Sequence, residues 1–211
     1  MLGLFEPDHM QYEADRPKDG SGEPSLAEMT RAAVTMLGAR GPGFILLVEG
    51  GRIDHAHHAG NARRALEDTI ALDEAVKAAL DLTDREDTLV IVTADHSHTL
   101  AINGYPERGN PILDVAAFGG KPLKAKDGKG YTTLSYANGP GAGDGARADP
   151  LLTDTTALDY RQQALVSLGS ETPAGDDVVA RASGPMAYLV KGAIEQNSLF
   201  YIMREALAGL K

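Results

Sequence analysis

Apolar residues fall along this chain in two alternating patterns. Over residues 25–37, Leu26, Met29, Ala33, Met36 and Leu37 recur at helical spacing, Ser25 and Glu28 stand three apart as a capping box requires, and Gly38 follows as a stop. The next run, Phe44 to Val48, is continuously apolar between Gly43 and Glu49-Gly50-Gly51, the pattern of a strand covered on both faces of a parallel sheet. Residues 61–81 return to helical spacing, with Ala65, Thr69, Leu72, Val76, Ala79 and Leu80 on one face and Arg63, Glu67, Glu74 and Lys77 on the other. Leu89 to Val92 is a second all-apolar strand. Strand, helix and strand read as a βαβ crossover, so the expected fold class is α/β. Ligands of such sheets lie outside the carboxyl ends of the strands, here 49–54 and 95–98, which should meet in space.

Between 101 and 170 the character changes: Gly and Pro are frequent, apolar runs such as Tyr131 to Tyr136 are short, and residues 138–145 are rich in turn formers. The expected division is a core segment over 1–100, an irregular insertion over 101–170 and a second core segment over 171–211. In the last segment regular structure is expected at Val178 to Ala180, at Met186 to Val190, and in a helix from about Ser198 with Leu199, Ile202, Met203, Ala206 and Leu210 as its stripe.

Composition narrows the chemistry. The chain has no cysteine, so any metal must be held by His, Asp or Glu. A net charge of −10, from 30 acidic and 20 basic residues, opposes binding to nucleic acid or anionic membranes. No apolar run reaches the roughly 20 residues that span a bilayer, and no signal sequence is read in the chain.

Five of the six histidines lie in two short stretches, His55, His57 and His58 in one, His96 and His98 in the other, each just past a predicted strand. Glu49, Asp54 and Asp95 accompany them, giving the mixed nitrogen and oxygen ligand set that zinc accepts without thiolate. Asp54 and His58, four apart, point the same way on a helical turn. Asp95 and His96 are adjacent, and both reach one ion only from irregular backbone. A single histidine after a strand is more often a surface or capping group than a ligand, but two His/Asp groups at neighbouring strand ends favour a metal or catalytic centre. Glu49 alone reads equally well as a turn carboxylate.

The words that carry these residues, Val-Glu-Gly-Gly-Arg-Ile-Asp-His-Ala-His-His at 48–58 and Thr-Ala-Asp-His-Ser-His at 93–98, resemble two signatures of the alkaline phosphatase family. The similarity continues through Gly-Leu-Phe-Glu-Pro at 3–7, Glu-Pro-Ser-Leu-Ala-Glu-Met-Thr at 23–30, Asn-Gly-Pro-Gly at 138–141, Tyr-Arg-Gln-Gln at 160–163 and Gly-Pro-Met-Ala at 184–187. The resemblance implies a three-layer sandwich with a mostly parallel central sheet, and a phosphomonoesterase using two zinc ions, one magnesium ion and a phosphoserine intermediate. It makes Glu49 a magnesium ligand, Asp54 and His58 ligands of the first zinc, Asp95 and His96 ligands of the second, and His98 a residue that orients Asp54. His55 and His57 match no ligand and read as structural or solvent-facing. A weaker similarity assigns calcium to Phe5, Glu6 and Glu23, for which surface carboxylates are an equal reading.

The same resemblance implies a homodimer, with 101–170 as the crown of the active-site rim, and a periplasmic or extracellular setting. Two departures qualify it. The family's nucleophilic serine, bridging aspartate and phosphate-binding arginine lie upstream of the region matched here, so this chain is expected to need an N-terminal half and to be inactive alone. The family's remaining ligand to the first zinc is a histidine in a Glu-Thr-His segment, whereas this chain reads Glu171-Thr172-Pro173, and proline offers no ligand atom. A non-catalytic metal-binding fragment or degenerate paralogue therefore stays open as an alternative, with a related phosphomutase or nucleotide pyrophosphatase behind it.

Overall fold

A computed structural model of the chain describes residues 2–41, 43–143 and 145–209. In chain order its helices are α1 (Leu26–Gly38), α2 (Arg52–His58), α3 (Ala62–Leu82) and α4 (Ser198–Ala208). Its strands are β1 (Val90–Val92), β2 (Ser97–His98), β3 (Leu100–Ile102), β4 (Ala117–Phe118), β5 (Lys121–Pro122), β6 (Leu134–Gly139), β7 (Ala164–Ser167), β8 (Pro173–Ala174) and β9 (Arg181–Ser183). The chain divides into two compact units, the first made of 1–21, 51–69 and 98–175, the second of 22–50, 70–97 and 176–211. The segment 101–170 lies wholly inside the first. No helix among the described residues is long and apolar enough to cross a membrane.

The first unit is built on a three-stranded sheet in the order β3, β6, β7. β3 and β6 are antiparallel, with Leu100 opposite Tyr136, and β6 and β7 are parallel, with Tyr136 opposite Ala164. Leu134 and Tyr136 on β6 point into the core, as the two-residue period of a strand dictates. The expected irregular character of 101–170 is thus interrupted by β6 and β7 and by the short pair β4–β5; the Gly139-Pro140 that closes β6 conceals that strand in the sequence.

Helix α2 ends at a sharp turn through Gly60, whose φ of 68° is left-handed and favours glycine. The Asn61 side chain then takes over, accepting from Arg64 N–H at 3.0 Å as a cap for α3 and donating to the Leu158 carbonyl at 2.7 Å. Buried Gln162 accepts from Ala62 N–H at 2.7 Å, and its own N–H donates to the Gly60 carbonyl at 2.9 Å. Both sides of the α2–α3 turn are therefore tied to 158–162. Ala56, Ala62 and Ala65 are almost fully buried, small enough to let the helices approach closely.

In the second unit α1 starts as the sequence predicts. Ser25 Oγ accepts from Glu28 N–H at 3.2 Å while the Glu28 carboxylate accepts from Ser25 N–H at 2.7 Å, and Thr30 and Val34 are buried. β1 pairs antiparallel with β9, Val90 opposite Ser183 and Val92 opposite Arg181. Gly184 follows at a φ of 105°, where an added Cβ would stand 2.0 Å from the Thr88 carbonyl oxygen, so no larger residue fits.

Three expectations need correction. Phe44 to Val48 is not a strand buried on both faces: Ile45 and Leu47 are 73% and 87% exposed, and no hydrogen-bonded ladder forms on the run among the described residues. The apolar pattern reports a segment suited to two-sided cover, but strand structure also needs neighbours for its N–H and C=O groups. Val178 to Ala180 is irregular, with the strand displaced to 181–183, and Met186 to Val190 holds a 3-10 turn entered through Met186 at a φ of 63°. α4 forms as expected with Ile202 buried, but Met203 of its stripe is exposed and Leu210 lies outside the described residues.

Asp68 on α3 is a buried carboxylate whose two oxygens accept from the Glu13 N–H at 3.3 and 3.4 Å. Burial pushes it up from 3.8 to about 6, against the bonding from Glu13 and the charge of Arg52. A raised carboxylate favours the fold when protonated. Its contribution is full below about pH 4 and is lost as the pH rises through 6. Asp68→Asn should therefore gain on the parent between pH 4 and 7.5 by about 1–2 kcal/mol, allowing for solvent access, and urea unfolding at both pH values measures this. An unchanged difference would refute it.

Candidate metal centre

Helix α2 sets the centre's geometry. Its seven residues turn Asp54 and His58 to one side, and the Asp54 carboxylate sits in the first turn where the helix dipole favours negative charge. Asp54 Oδ2 lies 3.3 Å from His58 Nε2. Asp54 Oδ1 lies 3.0 Å from His98 Nε2. His98 ends β2, which pairs with β8, the strand containing Pro173. The two imidazoles meet edge to face with centroids 5.1 Å apart.

Behind both imidazoles stands Glu171, 1% exposed. Its carboxylate accepts from His98 Nδ1–H at 2.7 Å through Oε2, and from the Thr99 backbone N–H at 2.6 Å and Thr99 hydroxyl at 2.7 Å through Oε1. Its backbone carbonyl accepts from His58 Nδ1–H at 2.6 Å, and its N–H donates to the His58 carbonyl at 2.9 Å. A carbonyl can only accept, so the proton of a neutral His58 sits on Nδ1 and the Nε2 lone pair faces Asp54. The next residue is held as well: Asn138 accepts from Thr172 N–H at 3.0 Å and donates to its hydroxyl at 2.9 Å. His58, His98 and Glu171 form one of the groups whose ligand atoms lie close enough for a metal ion.

His57 reads as structural, and the structure gives it a definite place. It stacks on His98 at 4.6 Å and shares a 2.9 Å hydrogen bond with the Tyr136 hydroxyl. Burial, and then the neighbouring His98, push His57 down to about 4, so it packs as a neutral ring. Burial, with the charge of Glu171, also raises the Tyr136 phenol well above its ordinary value. His55 points elsewhere, 2.8 Å from Arg52 and edge to face with His9, its basicity lowered by burial and by Arg52.

Of the other expected ligands, Glu49, Asp95 and His96 belong to the second unit. Asp95 is 82% exposed in its side chain, 3.6 Å from His96, and its carbonyl accepts from Gln196 at 3.3 Å. Phe5 and Glu6 belong to the first unit, and Glu23, which is buried, to the second. Sequence reading passed over Glu171 and Thr99. The first opens the Glu-Thr-Pro segment singled out for its proline, and a carboxylate two residues before the position where the resemblance expects a ligand was the available signal.

A carboxylate and an imidazole at ligand spacing, backed by a second histidine and a buried glutamate, form a candidate metal-ligand group of the His/Asp type. The chain belongs to the alkaline phosphatase family, whose pattern matches residues 1–209. It is 44% identical over 208 residues to the tissue-nonspecific alkaline phosphatase of Rattus norvegicus, and 46% identical over 209 residues to that of Gallus gallus. It is 43% identical over 208 residues to an alkaline phosphatase of Gadus morhua. Each match covers 98% of this chain but 38%, 39% and 42% of the respective relative, so the chain spans about two-fifths of their length.

Proposed function

We propose that this chain supplies the C-terminal metal ligands of a phosphomonoesterase that holds two zinc ions and one magnesium ion, and that the nucleophile comes from an N-terminal half. Asp54 and His58 hold the first zinc, Asp95 and His96 the second, Glu49 the magnesium, and His98 orients Asp54. The observation that carries this is the 3.3 Å between Asp54 Oδ2 and His58 Nε2. Two ligands held at 2.0–2.1 Å around a tetrahedral zinc are about 3.3 Å apart, so the pair fits that ion without rearrangement. When bound, the metals supply Lewis acidity and lower the pKa of water.

The chain's own residues do the rest. Glu171 holds His58 with Nε2 toward Asp54, and His98 holds one Asp54 oxygen while the other faces His58. The reading carries with it a three-layer sandwich with a mostly parallel central sheet, the crown role of 101–170, a homodimer and an extracellular or periplasmic setting. It also includes a weaker calcium site at Phe5, Glu6 and Glu23.

Pro173 favours a second reading, a degenerate or non-catalytic metal-binding paralogue, because it removes one ligand of the first zinc. Zinc titration of the chain and of its Asp54→Ala variant tests the metal assignment.

A further inference from the structure

We propose that Glu171 is a positioning residue of this metal centre, acting on Asp54 through His98. The inference rests on the reading of Asp54 and His58 as zinc ligands and extends it to a residue outside the ligand set. A carboxylate this deeply buried is costly unless every oxygen is satisfied. Here Oε1 takes two donors from Thr99 and Oε2 takes His98 Nδ1–H. The same residue holds His58 through its backbone in both directions. Glu171 therefore fixes the rings of both imidazoles by separate atoms, His58 by its peptide and His98 by its carboxylate.

The consequence runs outward along one line. His98, held at Nδ1 by Glu171, stands with Nε2 3.0 Å from Asp54 Oδ1, which turns Oδ2 toward His58. His57, stacked flat on His98, closes the ring's other freedom. A carboxylate behind a histidine commonly sets the orientation of a metal ligand, and its removal costs about 10- to 100-fold in metal affinity. Glu171 also anchors the arm leading to Pro173, two residues on. That anchor does not use residue 173, so the arm keeps its place although its ligand position holds proline.

Glu171→Gln separates this from a merely structural role. Two donors from Thr99 hold the glutamine oxygen at the Oε1 position, which leaves its amide N–H₂ facing His98 Nδ1. Nδ1 must then become an acceptor. In nitrogen-15 NMR of the metal-free 211-residue chain, the His98 Nδ1 resonance should move from the protonated to the unprotonated range. That of His58, whose partner is a peptide carbonyl, should stay.

Zinc affinity, read by competition with a chromophoric chelator, should fall about 10- to 100-fold, and Glu171→Gln added to His98→Gln should lower it no further. Unchanged His98 nitrogens, or a full additional loss in the His98→Gln background, overturn the proposal. If Glu171→Gln fails to fold, His98→Gln carries the test, since it leaves the bonds from Thr99 to Glu171 in place. Its zinc affinity should fall by the same factor, and parent-like affinity overturns the proposal. Failure of the parent to bind zinc would instead overturn the metal assignment, and the nitrogen signature would still decide the role of Glu171.

Discussion

The Pro173→His variant of the chain should bind zinc about 10- to 100-fold more tightly than the parent. Structural zinc sites gain about 10–16 kcal/mol from four ligands, or roughly 3 kcal/mol each, which is about 100-fold in affinity. Pro173 stands in β8, paired with the strand that ends in His98, and the arm before it is pinned by Glu171 to His58 and by Thr172 to Asn138. An imidazole placed there starts from an anchored backbone. The gain should fall short of a full ligand, because the backbone at 173 is shaped to the fixed φ of proline. Calorimetric titration with zinc measures it. Equal affinity of parent and variant would mean that 171–178 is not the third ligand arm.

The second large effect concerns turnover. The 211-residue chain, supplied with zinc and magnesium, should release no p-nitrophenol from p-nitrophenyl phosphate above the metal-only rate. Metals that are not joined by a positioned nucleophile and a phosphate clamp forgo the advantage of holding reactants together, about 7–11 kcal/mol in favourable cases. Joining the upstream half of a relative to the chain should restore zinc-dependent hydrolysis at alkaline pH. Turnover by the chain alone, abolished by Asp95→Ala, would contradict the account and place a nucleophile within these residues.

Local signals were the most legible part of the sequence. Ser25 and Glu28 predicted a capping box and formed one, and the helical spacing over 61–81 matched the span of α3 to within a residue at each end. The buried face of α3, however, runs through Ala65, Ala71, Ala75 and Ala78, while Thr69 and Leu80 of the expected stripe are exposed. Asp54 and His58 were readable as a pair because α2 places residues four apart on one side. Tertiary facts were less legible. The apolar pattern of 44–48 says what the segment prefers to contact, not whether strands stand beside it. β6 was hidden by the Gly139-Pro140-Gly141 turn that closes it. Glu171 was hidden for another reason: its role depends on bonds to His58, His98 and Thr99 that lie 113, 73 and 72 positions away, and no local pattern announces such a hub. The clustering of histidines suggested chemistry, but the separation of His57, packed against Tyr136, from His58, aimed at Asp54, became clear only in three dimensions.

The central claim is that Asp54 and His58 are the pair on which the first zinc is held. Its most direct measurement is zinc binding to the purified chain beside Asp54→Ala, with urea unfolding to verify that the variant folds. The account predicts that the parent binds zinc and that the variant loses binding at this site by about 100-fold or more, taking about 3 kcal/mol for one ligand. Undiminished binding by a folded Asp54→Ala chain would contradict it.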